Sequence, residues 1–307
     1  MNGNYYALKE VSKFKLFQTS RIFSVLNEPF ILKNLINYSF ILNIISSFQD
    51  YENLYVVTTY YEGKPLEYYK MNKLSEEQIK FMSACVIQGL TLLREKKIIH
   101  RDIMMKNIVM DRDKYFNIID FSYSIEYKNK NNRKKYLITY DMVSPPEMLN
   151  LSDYDYNSDY YRLGSMIYFL IFKIHPLIIK REKKINDIVV DHHIVNNYSK
   201  SCIDFMNDLL KSDYKKRIGY NNINELKNHS FFKGFNWIKF EKKQIISPFN
   251  FVSNNKKQKC YKLKVSPKYQ IIFKRLSKNN FYKKLIKKFD YVNNQIIKKG
   301  NYIKINN

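Results

Sequence analysis

The first 62 residues alternate short apolar runs with one helical pattern. Residues 5–11 form a largely apolar run between charged flanks, and residues 53–61 (NLYVVTTYY) are β-branched and aromatic, so both predict strands. Between them, residues 24–35 repeat apolar side chains at helical spacing, which predicts a helix. The opening segment is therefore expected to be a small α+β unit.

Beyond residue 64 the pattern becomes mainly helical. Ser75 and Gln78 have the spacing of a capping box, which predicts that a helix begins there. An apolar stripe at helical spacing follows, and its position predicts a long amphipathic helix. The stripe comprises Ile79, Met82, Val86, Leu90 and Leu93.

A hairpin and two further helices are predicted later in the chain. The apolar runs Ile108–Met110 and Phe116–Ile119 flank a polar turn, which is typical of a hairpin. Residues 123–145 are polar, basic and without periodicity, so we expect a loop. Helical patterns resume at Tyr160–Ile171 and Ser201–Leu210.

The charge of the chain is strongly positive and unevenly distributed. The 307 residues carry 53 Lys and Arg against 28 Asp and Glu, a formal net charge of +25, while 45% hydrophobic residues exclude disorder throughout. Residues 251–307 hold 16 of the basic residues and a single acidic one, Asp290. Such a tail suits an acidic membrane surface. The alternative, which we favour, is a solvated tail enriched in lysine by genome composition, and nucleic acid is disfavoured as a partner.

Cysteine usage and hydropathy point to an intracellular protein. Cys85, Cys202 and Cys260 are odd in number and far apart, which fits neither a disulfide framework nor a zinc site. The first ten residues lack the apolar core of a signal peptide, and no apolar run approaches the roughly 18 residues of a spanning helix. We therefore expect a reducing compartment, with the cytoplasm as the default.

A series of polar residues in a fixed order carries the candidate chemistry. The series consists of His100-Arg101-Asp102, Asn107, Asp120-Phe121-Ser122, Pro146-Glu147, Asp159 and Arg217. It is preceded by Lys9 in a predicted strand and by Glu28 in the predicted helix. Together these residues resemble the signature of eukaryotic protein kinases, and the resemblance spans about residues 5–240.

The resemblance implies an α+β, bilobed kinase fold. It assigns residues 1–62 to a small, mostly β N-terminal lobe, residues 63–240 to a mainly α-helical C-terminal lobe, and residues 241–307 to a basic tail. The tail resembles that of AGC-group serine/threonine kinases, because Ser266-Pro267 resembles the turn motif and Ile286–Tyr291 resembles the hydrophobic motif. In relatives such a tail docks an aromatic side chain on the small lobe. The alternative is a disordered basic tail.

The same resemblance assigns roles in phosphoryl transfer from ATP, where catalysis consists mostly of positioning and charge neutralisation. Lys9 would hold the α- and β-phosphates, and Glu28 would hold Lys9. Asp102 would accept or orient the proton of the substrate hydroxyl. Asn107 and Asp120 would supply hard oxygen ligands for Mg²⁺.

Further residues are assigned to the nucleotide and to the framework by the resemblance. Ala7 and Val109 would enclose the adenine, and the backbone from Thr59 to Tyr61 would read its edge. The framework residues are Glu147 and Arg217, expected as a buried ion pair, and Asp159, expected to brace the backbone around His100.

Three departures from the family pattern bear on activity. Only eight residues precede Lys9, with Gly3 as their sole glycine, so the first strands and the Gly-rich loop are expected to be missing. Met104 stands where serine/threonine kinases place a lysine, and Lys106 stands where tyrosine kinases commonly place an arginine, so Lys106 would restore the charge. Ser122 replaces a glycine and is expected to restrict the backbone at a cost of about 0.5–1 kcal/mol.

The sequence thus predicts a Mg²⁺-dependent serine/threonine kinase that transfers the γ-phosphate of ATP to protein substrates. Thr139 is expected to contact the substrate hydroxyl, and Tyr136, Thr139 or Tyr140 to carry a phosphate near Arg101. The alternative, from a different functional class, is a pseudokinase that acts as a scaffold or allosteric partner. It is supported by the missing Gly-rich loop, Met104 and Ser122.

Overall fold

The computed structural model describes most of the chain, and the described residues form two compact units. The N-terminal unit comprises the described parts of residues 1–38, 42–60 and 255–307, and the C-terminal unit those of residues 39–41 and 61–254. The description covers residues 5–18, 22–50, 52–127, 144–149, 155–183, 187–253, 289 and 291–292. Within these ranges, no helix combines the length and the apolar character needed to cross a bilayer.

A four-stranded antiparallel sheet organises the N-terminal unit. Its strands follow the order β1-β3-β2-β8, and α2 packs against β2. The central strand β3 is buried at all but its last residue, in agreement with its run of β-branched and aromatic side chains. The elements are β1 (Tyr6–Ser12), α1 (Lys13–Gln18), α2 (Ile22–Lys33), β2 (Ile44–Gln49), β3 (Asn53–Thr59) and β8 (Tyr291–Val292).

Residues from the basic tail complete this sheet. β8 pairs with β2 through Ser46 opposite Val292 and Ser47 opposite Tyr291. Phe289 is fully buried, and the Ser47 hydroxyl donates a hydrogen bond to its carbonyl oxygen. The aromatic docking expected from the AGC resemblance is thus present at Phe289, whereas Ser266 and Asp290 lie outside the described residues.

The C-terminal unit is mainly helical, with two small antiparallel pairs of strands, β4 with β7 and β5 with β6. Among the described residues, short 3₁₀ turns lie at Leu66–Tyr69, Met105–Asn107, His192–Ile194 and Ser230–Phe232. The strands are β4 (Ile98–Ile99), β5 (Ile108–Met110), β6 (Phe116–Ile118) and β7 (Ile125–Glu126). The helices are α3 (Glu76–Glu95), α4 (Pro146–Leu149), α5 (Asn157–Phe172), α6 (Pro176–Lys183), α7 (Lys200–Leu209), α8 (Asn224–Asn228) and α9 (Trp237–Glu241).

The long helix α3 confirms the predicted helix start and its apolar stripe. Ser75 is its N-cap, and both hydrogen bonds of the capping box with Gln78 are present. All five apolar stripe residues are buried. α5 packs against α7, and a Cβ added at Gly164 would lie 2.7 Å from the Cβ of Leu209. A side chain at position 164 would therefore collide with α7, which explains the glycine there.

The predicted hairpin and the helices at α5 and α7 are also confirmed, within a few residues at each end. No strand was predicted from the sequence at β2. In β2, Ser46 and Ser47 interrupt the apolar run, so the strand lacks a clear β pattern. Pairing with β3 and β8 forms that strand, which is a tertiary effect.

We expect Phe289→Ala to destabilise the protein, because it removes a fully buried aromatic side chain and leaves a cavity. The expected loss in the free energy of unfolding is about 3–5 kcal/mol, measured by thermal and urea denaturation of the full chain. Ile246→Ala is the control, since Ile246 is 90% exposed. Equal stabilities of the two variants would contradict the docking of Phe289.

Candidate active site

A partly buried ion pair joins β1 to α2 in the N-terminal unit. β1 presents Lys9 and α2 presents Glu28, and Lys9 Nζ lies 2.7 Å from Glu28 Oε2. The glutamate side chain is 3% exposed and the lysine side chain 39% exposed. Because a buried carboxylate is costly without a partner, the pair fixes Lys9 while its side chain stays accessible to solvent. The structure thus brings together the two residues that the sequence paired.

The residues assigned to the adenine are distributed over both units. In the N-terminal unit, Ala7 faces Thr58 in the β1–β3 pairing, and the Thr59 N–H donates to the Asn43 carbonyl at 3.0 Å. The Thr59 N–H is therefore occupied by a hydrogen bond within the protein. In the C-terminal unit, the Tyr61 hydroxyl donates to the backbone oxygen of residue 41 at 3.0 Å, and Val109 is half-buried in β5. Their role in nucleotide binding stays a prediction.

The loop between β4 and β5 in the C-terminal unit carries the candidate base. Asp102 is buried, and the Asn107 side-chain amide donates to its backbone oxygen at 2.9 Å and to its Oδ2 at 2.8 Å. The Asp102 N–H donates to His100 Nδ1 at 3.2 Å. Burial lowers the pKa of His100, which keeps the ring neutral so that Nδ1 can accept. Nε2 then carries the proton and donates to the Ile119 carbonyl at 3.2 Å.

Asp159 at the start of α5 supports the same loop through two hydrogen bonds. Its two carboxylate oxygens accept hydrogen bonds from the backbone N–H groups of His100 and Arg101, both at 2.8 Å. Arg101 has a φ of 66°, a left-handed conformation that a non-glycine residue keeps only when its surroundings enforce it. The predicted bracing role of Asp159 is confirmed, and burial raises the pKa of this carboxyl.

The electrostatic environment of Asp102 combines burial with two cations. Burial raises the pKa of Asp102, while the positive charges of Arg162 and Lys106 and the Asn107 hydrogen bond oppose that rise. Lys106 is exposed on the 3₁₀ turn, and its charge lowers the pKa of Asp102, while its expected role at the phosphate stays a prediction. Arg162 in α5 is fully buried and donates to the Ser144 hydroxyl at 3.3 Å.

Sequence reasoning missed Arg162 although a signal for it existed. It is the one basic residue in the apolar stretch from Tyr160 to Ile171, and a lone cation inside a core helix needs a compensating partner. Only the fold shows that its charge acts on Asp102, which lies 60 residues earlier in the chain.

The hairpin β5–β6 places the two candidate metal ligands next to each other. Asn107 precedes β5 and Asp120 follows β6, and the Ile119 N–H donates to the Asn107 carbonyl at 2.8 Å. Because the Asn107 amide nitrogen donates to Asp102, its side-chain oxygen is the atom to offer to a cation. A carboxylate and an amide oxygen are hard ligands, so this donor set fits Mg²⁺.

Ser122 makes a contact that the sequence did not indicate. The φ angle of Ser122 is not in the left-handed region, so this serine introduces no backbone strain. Asp120, in contrast, has a φ of 60°. The Ser122 hydroxyl donates to Asp120 Oδ1 at 2.5 Å. The Ser122 hydroxyl therefore contacts the candidate metal ligand directly, and the expected restriction of the backbone stays a prediction.

The expected ion pair between Glu147 and Arg217 is present and buried. Arg217 Nη1 lies 2.6 Å from Glu147 Oε1, and Nη2 lies 3.0 Å from Oε2. Arg217 also donates to the carbonyl oxygens of Asn157 and Lys211. The pair fixes α4, which follows residues 128–143. Tyr136, Thr139 and Tyr140 fall in that segment, outside the described residues.

Comparison with known families agrees with this geometry. The protein kinase domain model matches residues 1–232. The chain belongs to the protein kinase family. The expected α+β kinase fold is thus confirmed, and the roles of Lys9, Glu28, Asp102, Asn107 and Asp120 stay predictions.

Curated relatives of this kinase are serine/threonine kinases. A probable serine/threonine-protein kinase of Dictyostelium discoideum is 31% identical over 252 residues, or 80% of this chain and 54% of the relative. Serine/threonine-protein kinase sgk-1 of Caenorhabditis elegans is 27% identical over 249 residues, with the same coverage. Human rhodopsin kinase GRK1 is 27% identical over 262 residues, or 80% of this chain and 46% of the relative. The kinase spans about half the length of these relatives, and the resemblance to the AGC group is supported.

We expect Glu147→Gln to destabilise the kinase strongly, because it leaves the Arg217 guanidinium buried without a negative partner. Removing one member of a buried pair costs about 3–5 kcal/mol of unfolding free energy, measurable by urea denaturation. The control is Asp213→Asn, which breaks an exposed pair with Lys216 at 3.9 Å and should cost less than about 1 kcal/mol. A Glu147→Gln variant as stable as this control would show that the pair contributes little.

Proposed function

We propose that this kinase transfers the γ-phosphate of ATP to serine or threonine hydroxyls of proteins, with Mg²⁺ as the cofactor. The observation that carries the proposal is the buried Asp102 carboxylate, whose Oδ2 accepts a hydrogen bond from the Asn107 side-chain amide, while the same amide also donates to the Asp102 backbone oxygen. A buried acid with this support is set up to orient a hydroxyl and to take its proton. The serine/threonine assignment follows the names of the relatives.

The residues of the C-terminal unit would act on the acceptor hydroxyl. Asp102 would accept a hydrogen bond from the hydroxyl and take the proton as the new bond to phosphorus forms. Arg162 and Lys106 offset the burial of the carboxylate and favour its ionised form, which is the form that accepts a proton. Lys106 would also place a positive charge near the transferred phosphate, where Met104 cannot.

Two groups of residues would neutralise the negative charge of the phosphates. Lys9, oriented by Glu28, would bind phosphate oxygens of ATP through its ammonium group. Asn107 and Asp120 would hold the metal. When bound, Mg²⁺ supplies positive charge to the phosphate oxygens.

A pseudokinase that works as a scaffold or allosteric partner is the second candidate. The observation that favours it is Met104, which is half-buried beside the catalytic loop and carries no charge. In that case nucleotide binding could persist without transfer. Measuring phosphate transfer and nucleotide binding on the same sample separates the two candidates.

We expect Asp102→Asn to lower the turnover number by about 10²–10⁴-fold, because the amide cannot take a proton. Transfer is measured with radiolabelled ATP on peptide libraries and as autophosphorylation, and nucleotide binding is followed by thermal shift. The control is Asp204→Asn, at a partly exposed residue of α7 that should keep wild-type turnover. A wild-type protein that transfers phosphate to no peptide and not to itself would refute the proposed activity.

We also expect Lys9→Met to weaken Mg-ATP binding by about 10-fold or more, since a charge-assisted hydrogen bond contributes roughly 1.5–3 kcal/mol. Isothermal titration measures the affinity directly, and Lys15→Met, at an exposed residue of α1, is the matched control. Unchanged affinity in Lys9→Met would assign the phosphates to other residues.

A further inference from the structure

We propose that Ser122 is a positioning residue, whose hydroxyl holds the Asp120 carboxylate in place so that it ligates a divalent cation through a single oxygen. This role rests on the proposed function, because it concerns the metal that accompanies ATP. In the sequence, Ser122 was noted only as a replacement for the glycine of the family pattern.

The geometry shows two donors that meet at one carboxylate oxygen. The Ser122 hydroxyl lies 2.5 Å from Asp120 Oδ1, and the Ser122 backbone N–H lies 3.3 Å from the same atom. At 3.3 Å the bond from the backbone N–H restrains this oxygen less tightly than the bond from the hydroxyl. A second, shorter hydrogen bond to the same oxygen fixes the plane of the carboxylate.

The backbone conformation of Asp120 explains why hydrogen bonds from Ser122 stabilise this residue. Asp120 has a φ of 60°, a conformation that aspartate tolerates better than most residues but that still costs free energy. Local hydrogen bonds from residue 122 to the side chain of residue 120 close a short turn and stabilise that conformation. Ser122 therefore acts on the ligand through both the backbone and the side chain.

The backbone around Asp120 links the fixed carboxylate to the second candidate metal ligand. The Ile119 N–H binds the Asn107 carbonyl, so the backbone that carries Asp120 is tied to the backbone that carries the second oxygen ligand. Mg²⁺ demands near-ideal octahedral geometry, whereas Ca²⁺ accepts bidentate carboxylates in flexible geometry. A carboxylate with one oxygen occupied by the Ser122 hydroxyl suits single-oxygen ligation, and so favours Mg²⁺ over Ca²⁺.

The experiment uses the full chain with Ser122→Ala, Ser122→Gly and Ser122→Thr. ADP is titrated without metal, and Mg²⁺ and Ca²⁺ are then titrated at saturating ADP, with isothermal titration and thermal shift as readouts. We expect the alanine and glycine variants to need about 10-fold more Mg²⁺, in the range for loss of a partner that orients a metal ligand, and the threonine variant to stay near wild type. Metal-free ADP affinity should be unchanged, and the preference for Mg²⁺ over Ca²⁺ should narrow in Ser122→Ala.

The outcomes distinguish this role from the proposed function. If the wild type shows Mg²⁺-dependent ADP binding and Ser122→Ala and Ser122→Gly match it, the positioning role is overturned while the proposed function stands. Tighter Mg²⁺ binding in either variant also overturns it, since the hydroxyl would then compete with the metal. If the wild type shows no Mg²⁺-dependent binding, the proposed function fails and the role of Ser122 fails with it. Should Ser122→Ala not fold, Ser122→Gly provides the same comparison.

Discussion

The catalytic loop of this kinase depends on one buried carboxylate. Asp159 at the start of α5 accepts hydrogen bonds from two consecutive backbone N–H groups, those of His100 and Arg101. Without these bonds, the left-handed conformation at Arg101 would lose its support, because a non-glycine residue does not favour it. Asp102 follows directly, so the position of the candidate base is set by a residue nearly 60 positions later in the chain.

A second constraint comes from the hairpin β5–β6. A hairpin with a fixed register brings its two free ends side by side, and here those ends carry Asn107 and Asp120. Asn107 then has two roles, since its amide nitrogen binds Asp102 and its oxygen is the candidate metal ligand. Base and metal ligands are therefore coupled through one side chain, which ties the orientation of the acid to the metal site.

In the N-terminal unit, segments that are far apart in the chain form one sheet. β1 supplies Lys9 and α2 supplies Glu28, while β8 from the basic tail adds a strand beside β2. Phe289 is buried within the same unit. Strand pairing and aromatic burial thus hold a part of the tail on a unit of modest size, where each buried side chain is a large share of the stability.

Several elements could be predicted from the sequence because their signals are local. The capping box at Ser75, the apolar stripe of α3 and the polar turn between β5 and β6 each lie within a few residues, and all three were found as predicted. The order of the kinase motifs also determined the family and the pairing of Lys9 with Glu28, since those residue types at those places serve one chemistry.

Only the tertiary structure decided the rest, because it depends on contacts between residues far apart or on rotations of single side chains. The charge of Arg162 reaches Asp102 across 60 residues, and β2 becomes a strand only through its neighbours. The hydroxyl of Ser122 reaches Asp120 although the sequence suggested merely a restricted backbone. Such contacts leave no periodic pattern in a chain, since they are set by where the fold places each side chain and not by its neighbours in sequence.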